Sequence, residues 1–362
     1  MKIGILTFHC AHNYGAVLQA YGLQEYLKSQ GHEVHIIDYR PRYLTKQYAK
    51  NSLIFWISKD FFRTCKKLIN EPFLFRTRAR RWDKFDKFIR ERFNLAPFEK
   101  QGTDKYDTVI VGSDQIWNPH ITGGKFDDIF FGKKISGHIV VYAASARFKE
   151  LNNQEKLYFR ERLKDIDAIS VREDSLRRLL QPLTNKKIRT VVDPTLLAGR
   201  NIFTPIVCKP DTTSPYVFIY NIDSHRETHE VALRIARQIS GDVFELTCYL
   251  KNCRQYAGIK RVDDLSPEQF LGYILHAACV VTTSFHGTAL SLLFQRPFYT
   301  VRQNSDADLR TESLLKRITL TDRFINKGTF PDFQPIDYTH INELIEEYRL
   351  TSKIFLSKEV AK

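Results

Sequence analysis

The chain has 362 residues, which is enough for two domains of ordinary size, and its 43% hydrophobic content is sufficient for two cores. Six cysteines without C-x-x-C spacing argue against a disulfide framework or a zinc site. No apolar run reaches the roughly 18 residues of a membrane span, and no hydrophobic signal segment opens the chain, so a cytoplasmic protein is expected. The net charge of +14 favours an anionic partner: nucleic acid, a phosphorylated substrate or an anionic membrane.

The first elements predict a βαβ unit. Residues 3–8 form an apolar strand, residues 16–27 carry apolar side chains at helical spacing, and residues 33–39 form a second strand. The glycine fingerprint of dinucleotide-binding proteins is absent. The loop 9–15 still brings polar groups to a helix N-terminus, which suits a phosphate or a sugar.

Residues 40–100 form a basic insertion. They hold 17 Lys or Arg against 6 Asp or Glu, and Trp82, Phe85, Phe88 and Phe93 repeat at helical spacing. One interpretation is a helical cover whose aromatic stripe packs on the sheet. The other is a basic amphipathic surface that contacts anionic lipid. The arginines expected to contact lipid are Arg76, Arg78, Arg80 and Arg81. Nucleic acid is not expected, because the charge is concentrated in one insertion without a recognised nucleic-acid-binding module.

Three further strands in the first domain end in polar or small residues. Ser113 and Asp114 follow one strand, Ser145 follows the next, and Arg172 follows the third. Ligands of open α/β sheets bind at the carboxyl ends of the strands. We therefore expect Asp114 and Arg172 to face a ligand crevice.

A proline-containing linker at 205–215 predicts a boundary between domains 1–204 and 205–362, the second including the C-terminal helix. In the second domain a strand over 277–283 leads through His286 into a helix. The N–H groups of Gly287, Thr288 and Ala289 would then face the crevice and form an anion site. His286 would stand beside the anion as a cation or proton donor, or would merely cap the turn.

Several short motifs occur in a characteristic order. They are segments 7–9, 13–20, 111–119, 142–145, 170–173, 192–197 and 283–288. In these segments the chain resembles the polysaccharide pyruvyl transferase family along nearly its whole length. The resemblance implies an α/β fold with two Rossmann-like domains facing a cleft, as in GT-B glycosyltransferases. It also implies that phosphoenolpyruvate is the donor for a pyruvate ketal on a sugar of a cell-surface polysaccharide, with a sugar or lipid-linked oligosaccharide as acceptor.

The resemblance also assigns site residues. Arg172 and His286 correspond to the residues for the donor's phosphate and carboxylate. Better-known branches of the family carry an arginine where this chain has Ser284, and Arg302 and Arg147 are the candidates to replace it. The other expected substrate contacts are Asn13, Tyr14, Gly15, Ser113, Ser145, Ser284, Gly287 and Thr288.

The chemistry needs a proton donor near the anion and a base near the sugar. His286 suits the first role, and Asp114, with His9 as a rival, suits the second. No metal and no cofactor beyond the donor substrate are expected. Two alternatives stay open: a GT-B glycosyltransferase that uses a nucleotide sugar, with Glu245 or Asp263 as the ribose-binding acid, and a non-catalytic glycan-binding relative.

Overall fold

The computed structural model describes residues 1–48, 72–98, 106–222, 225–248 and 256–360. Two parallel β-sheets organise these residues, one in each half of the chain. Helices connect the strands and cover the sheets. Since parallel strands are buried on both faces, their Val- and Ile-rich sequences are the expected ones.

The first sheet has seven strands in the order β3-β2-β1-β4-β5-β6-β7. The strands are β1 Lys2–Leu6, β2 Glu33–Asp38, β3 Leu95–Pro97, β4 Thr108–Val111, β5 His138–Ala144, β6 Ala168–Val171 and β7 Arg189–Thr190. Strand β1 lies between β2 and β4, with Ile3 opposite Val34 on one side and Thr108 on the other. The strand order therefore reverses direction at β1 and β4, which is where a Rossmann-like sheet opens a crevice for ligands.

The second sheet repeats this order in six strands, β10-β9-β8-β11-β12-β13. They are β8 Tyr216–Asn221, β9 Asp242–Thr247, β10 Lys260–Arg261, β11 Cys279–Thr282, β12 Phe298–Val301 and β13 Phe324–Ile325. Its switch point lies between β8 and β11. The predicted fold class, two Rossmann-like α/β domains, is confirmed, whereas the division at residues 204 and 205 stays a prediction.

The described helices pack on both sheets. The α-helices are α1 Tyr14–Ser29, α2 Arg42–Gln47, α3 Pro72–Arg92, α4 Asn153–Arg162, α5 Asp174–Leu180, α6 Pro194–Ala198, α7 Arg200–Phe203, α8 Arg226–Gln238, α9 Pro267–Leu275, α10 Phe285–Leu293, α11 Asp308–Arg317 and α12 Thr339–Val360. Short 3₁₀ turns span Asp128–Phe131, Leu163–Asp165, Gln181–Leu183, Thr204–Ile206 and Thr321–Arg323. Among the described helices, none combines the length and apolar character needed to cross a bilayer.

Helix α3 is the longest described element of the basic insertion. Its side chains Phe85, Phe88 and Ile89 are almost fully buried, as the helical spacing of the aromatic residues predicts. Arg81 is buried as well and donates to the Thr247 carbonyl at 2.9 Å, and Arg80 pairs with Asp264 at 2.6 Å. Helix α3 therefore packs as a cover that connects the two halves.

The predicted insertion at 40–100 differs from the structure at its C-terminal end. Residues Leu95–Pro97 form edge strand β3, because the open side of β2 offers hydrogen-bonding partners from Ile36 to Asp38. Predictions for residues 49–71 and 99–105 lie outside the described residues.

Helix α12 contacts the first half of the molecule, although the chain has already passed through the second sheet. The Tyr348 hydroxyl donates to the Val191 carbonyl at 2.9 Å, and the Val192 N–H donates to Ser352 Oγ at 2.9 Å. The C-terminal helix thus holds the segment that follows β7, which carries Asp193.

Candidate functional site

A cavity of about 370 Å³ lies where the two switch points face each other. Residues from both halves line it, and each follows a central strand: Phe8 and Ala11 after β1, Asp114 after β4, Ile222 after β8, and Ser284 and His286 after β11. A crevice at such strand ends is the usual ligand site of this sheet type. Here the two crevices form one cavity.

Helix α10 begins at the cavity wall. Ser284 is its N-cap in an extended conformation, and the Thr288 N–H donates to the Ser284 carbonyl at 3.1 Å. The first-turn N–H groups without an intrahelical acceptor are therefore those of Phe285, His286 and Gly287. Of the predicted N–H groups of Gly287, Thr288 and Ala289, that of Gly287 is among them, whereas the prediction was wrong for Thr288 and Ala289, because the helix starts at Phe285, earlier than expected.

His286 lies in the cavity wall between two residues of the first half. Its Nε2 atom is 3.5 Å from Asp193 Oδ2, so an imidazolium there would have a carboxylate partner. A Cβ atom built on Gly15 would come within 2.0 Å of His286 Nδ1. Gly15 thus provides the space for the imidazole ring and contacts this ring rather than the cavity.

Arg172 is buried behind the cavity wall and is already paired. It donates to Asp193 Oδ2 at 2.6 Å and to Asp114 Oδ1 at 3.4 Å. Burial alone would raise the pKa of Asp193, but the neighbouring His286 and Arg172 hold it well below its ordinary value. Asp193 was not predicted as a site residue from the sequence, although it lies within the matching segment 192–197.

Asp114 lies in the cavity wall and has an unusual backbone conformation. Its φ of 77° falls in the left-handed region, and its carbonyl accepts from the Ser145 N–H at 3.0 Å and the Ile116 N–H at 2.8 Å. These bonds hold a conformation that is uncommon for residues other than glycine. The carboxylate therefore lines the cavity while Arg172 balances its charge.

Two arginines add positive charge to the cavity lining, Arg147 and Arg310. Arg147 Nε donates to Gln115 Oε1 at 2.9 Å. Arg310, from α11, is only 7% exposed, and burial together with Arg172 and Arg147 lowers its pKa to about 9. Arg310 is a cavity residue that was not predicted from the sequence.

A buried carboxyl group lies close to this charge. Glu173 accepts from Ser145 Oγ and from the Ala146 N–H, both at 3.0 Å, and burial raises its pKa. The predicted contact residue Ser145 is thus a hydrogen-bond partner of Glu173.

His9 lies outside the cavity lining. Its ring is fully buried, with Nδ1 3.2 Å from the Thr7 carbonyl oxygen and Nε2 2.8 Å from Asp38 Oδ1. Both ring nitrogens are therefore occupied, and Asp114 is the better placed candidate base.

Asn13 and Tyr14 stand at the start of α1 and have different environments. Asn13 lines the cavity, caps α1 through Oδ1, and donates from Nδ2 to Cys248 Sγ at 3.1 Å. The Tyr14 hydroxyl donates to the Leu265 carbonyl at 2.7 Å, so this side chain joins the two halves instead.

The remaining predicted residues support the site from outside the cavity lining. Ser113 Oγ donates to the Ala143 carbonyl at 2.9 Å, and the Thr288 and Thr300 hydroxyls share a hydrogen bond of 2.7 Å. A Cβ on Gly287 would come within 2.3 Å of Thr282 Oγ1. The Arg302 guanidinium stacks 3.8 Å from the centre of the Phe324 ring.

No group of three or more His, Cys, Asp or Glu side chains in the ranges that the structure describes is arranged to hold a metal ion. The expectation that the chemistry needs no metal stays a prediction.

Comparison with known families decides the affiliation. The model of the family described as polysaccharide pyruvyl transferase matches residues 13–305. The chain belongs to this family. It is therefore a member of a transferase family of polysaccharide synthesis, and the resemblance seen in the sequence motifs is confirmed. A comparison with curated proteins returned no match.

Solved structures with a similar outline have very different sequences. A putative UDP-N-acetylglucosamine 2-epimerase from Listeria monocytogenes has 10% identity and a TM-score of 0.48, with 99% of this chain and 90% of that chain covered. The glycosyltransferase SnogD from Streptomyces nogalater has 10% identity and a TM-score of 0.41, with 98% and 95% covered. The E. coli heptosyltransferase WaaC has 12% identity and a TM-score of 0.38, with 83% and 88% covered.

Proposed function

We propose that the protein uses phosphoenolpyruvate to build a pyruvate ketal on a sugar of a cell-surface polysaccharide. The observation that supports this most is the composition of the shared cavity. Its wall combines Arg310, Arg147 and the N-terminus of α10 with His286 and Asp114. Such a wall offers cations and N–H donors for a donor with two anionic ends, beside a candidate acid and a candidate base.

The reaction can be balanced with these groups. His286 donates a proton to the methylene carbon of phosphoenolpyruvate, and the central carbon becomes an oxocarbenium-like electrophile. One sugar hydroxyl adds to that carbon and gives its proton to Asp114. The bond to the phosphate oxygen then breaks, and its electron pair leaves with phosphate. A second hydroxyl of the same sugar forms the remaining C–O bond, and its proton ends on the phosphate. Asp114 then gives its proton to solvent and His286 takes one up, which restores the enzyme.

The cavity lining also suits the acceptor. Leu44, Tyr48, Ile121 and His120 belong to it and add apolar and aromatic surface to the polar groups. Sugar-binding sites combine apolar faces with a few polar groups that fix orientation. We propose a sugar, free or lipid-linked, as the acceptor, and action in the cytoplasm at the inner face of the membrane.

Association with an anionic membrane surface is part of this proposal. Arg81 is buried and Arg80 is paired with Asp264, so Arg76, which is exposed, is the leading lipid contact among the described arginines named above. Sedimentation with anionic vesicles at low and high salt tests it. Binding that ignores lipid charge and salt would contradict the membrane contact but not the transfer activity.

The transferase assay is direct. The protein is incubated with phosphoenolpyruvate and a panel of glycosides that carry neighbouring hydroxyl pairs, and products are read by mass spectrometry and phosphate release. We expect a mass gain equal to phosphoenolpyruvate minus phosphoric acid, together with stoichiometric phosphate. Parallel reactions receive nucleotide sugars instead. Glycosyl transfer in these, with no pyruvyl transfer, would replace the proposal by the glycosyltransferase alternative.

Nothing in the described structure favours that alternative at present. Glu245 lies 2.7 Å from His229 Nε2, and Asp263 accepts from Arg261 Nε at 2.7 Å. Both candidate ribose-binding acids are therefore occupied by neighbours.

A further inference from the structure

Arg310 is a buried cation without an anionic partner. Its guanidinium lines the cavity, the residue is 7% exposed, and its Nε atom has no hydrogen-bond partner. Within the described ranges no ion pair to it is present. Arg172, whose guanidinium lies near the same Phe285 ring, has two carboxylate partners.

The carboxylates near Arg310 are occupied elsewhere. Asp308, on the same helix, accepts from the Gln303 N–H at 3.0 Å and the Asn304 N–H at 2.9 Å. Glu173 is bound by Ser145 and Ala146, and Asp114 pairs with Arg172. The charged groups that act on Arg310 are thus two arginines, Arg172 and Arg147, and the carboxyl groups of Glu173 and Asp114.

A charge that is buried without a partner is costly, because it has lost its water without gaining a counter-ion. A bound anion would remove that cost. The cavity lining next to Arg310 includes the first turn of α10, whose N–H groups and dipole also favour an anion. A guanidinium and several N–H groups together fit a compact oxyanion with several acceptor oxygens, and phosphate fits best.

We propose that Arg310 binds the phosphoryl group of the donor, with the first-turn N–H groups of α10 as further donors. The identity of the donor rests on the proposed function, whereas the presence of a phosphate site does not. Other branches of the family carry an arginine at the position of Ser284, and Arg310 thereby supplies the cation that this position does not. Arg302 is a poorer candidate because it stacks on Phe324 outside the cavity lining, and Arg147 is partly held by Gln115.

The experiment measures the binding of inorganic phosphate and of phosphoenolpyruvate by calorimetry, together with thermal unfolding with and without each anion. The variants are Arg310→Met, Arg310→Lys and Arg302→Met, with Arg237→Met as a control for an exposed arginine. We expect Arg310→Met to weaken phosphate binding roughly 10- to 100-fold. Arg310→Lys should keep part of the affinity, because it keeps the charge and loses the fork-shaped donor group.

Thermal unfolding separates binding from support of the fold. Without phosphate, Arg310→Met should be at least as stable as the parent protein, because it removes an uncompensated buried charge. It should also lose the increase in Tm that phosphate gives the parent protein. A lower Tm with unchanged phosphate affinity would overturn the proposal, as would an equal loss of affinity in Arg302→Met or Arg237→Met.

The outcome for this site can be told apart from the outcome for the proposed function. Phosphate binding that depends on Arg310, with no pyruvyl transfer to any acceptor, would contradict the proposed reaction and support the anion site. Pyruvyl transfer with unchanged kinetics in Arg310→Met would contradict the anion site and support the reaction.

Discussion

Arg172 and Arg310 make an informative comparison, because both are buried arginines near the ring of Phe285. Their centres lie 4.6 and 5.7 Å from that ring. Arg172 has Asp193 and Asp114 as partners, whereas Arg310 has no ion-pair partner in the part of the chain that the structure describes. Removal of a paired buried arginine leaves its carboxylate partners uncompensated, whereas removal of an unpaired one takes away an uncompensated charge. Both arginines are buried, and they differ in their partners and in their place, since Arg310 lines the cavity and Arg172 lies behind its wall.

The largest expected effect comes from substitution of His286, which lies between the buried carboxylate of Asp193 and the cavity. On one side it approaches Asp193, and on the other it lines the cavity. His286→Asn keeps hydrogen bonding but removes the proton donor, so kcat for pyruvyl transfer should fall roughly 10²- to 10⁴-fold. The melting curve should stay close to that of the parent protein. A large loss of Tm with near-normal turnover would show that His286 supports the fold beside Asp193 and does not act in the reaction.

Arg172→Met tests the contribution of the buried ion pairs of Arg172 to stability. It leaves Asp193 buried without its closest cation, so the free energy of unfolding should fall by about 3–5 kcal/mol. Urea denaturation measures this, and Arg310→Met is the matched variant without such a loss. The double variant Arg172→Met/Asp193→Asn should recover part of the stability, because the stranded charge is removed too. Equal stability of Arg172→Met and Arg310→Met would abolish the distinction between the two arginines.

Gly15→Ala should have the smallest effect of the three. The added methyl group would meet the His286 imidazole, so either the ring or α1 must shift. Overpacking of this kind costs about 1–3 kcal/mol of stability. We expect turnover to fall more than the affinity for phosphoenolpyruvate, because the ring moves while the arginines stay. Gly22→Ala, a helical glycine of α1 that meets Pro194 and Phe203 instead, is the control for overpacking away from the ring. Equal turnover in both variants would show that position 15 does not orient His286.

The sequence predicts the positions at strand ends well. Asp114 and His286 both line the cavity, because the carboxyl ends of parallel strands meet at one edge of each sheet. Their neighbours are harder to predict. Arg172 follows β6 as expected, but its nearest carboxylate follows β7 and belongs to the adjacent loop, and sequence spacing does not determine which of two crevice-facing side chains will pair.

Arg310 was missed for a different reason. It lies on a helix with Asp308, Glu312 and Lys316, a composition that is typical of an exposed surface. One signal was available, because Ala307, Leu314 and Ile318 are buried and Arg310 falls on their stripe at helical spacing. A charged residue on the buried face of a helix needs a counter-charge or a ligand, so its position on this stripe indicates a binding site.

The contact between Gly15 and His286 has a consequence for following the protein in solution. Gly15 belongs to the first half of the molecule and His286 to the second, and the ring lies directly against the glycine. A separation of the halves would therefore change the surroundings of this imidazole. The ring resonances of His286 in an NMR spectrum are therefore a built-in reporter of domain closure, without an attached label.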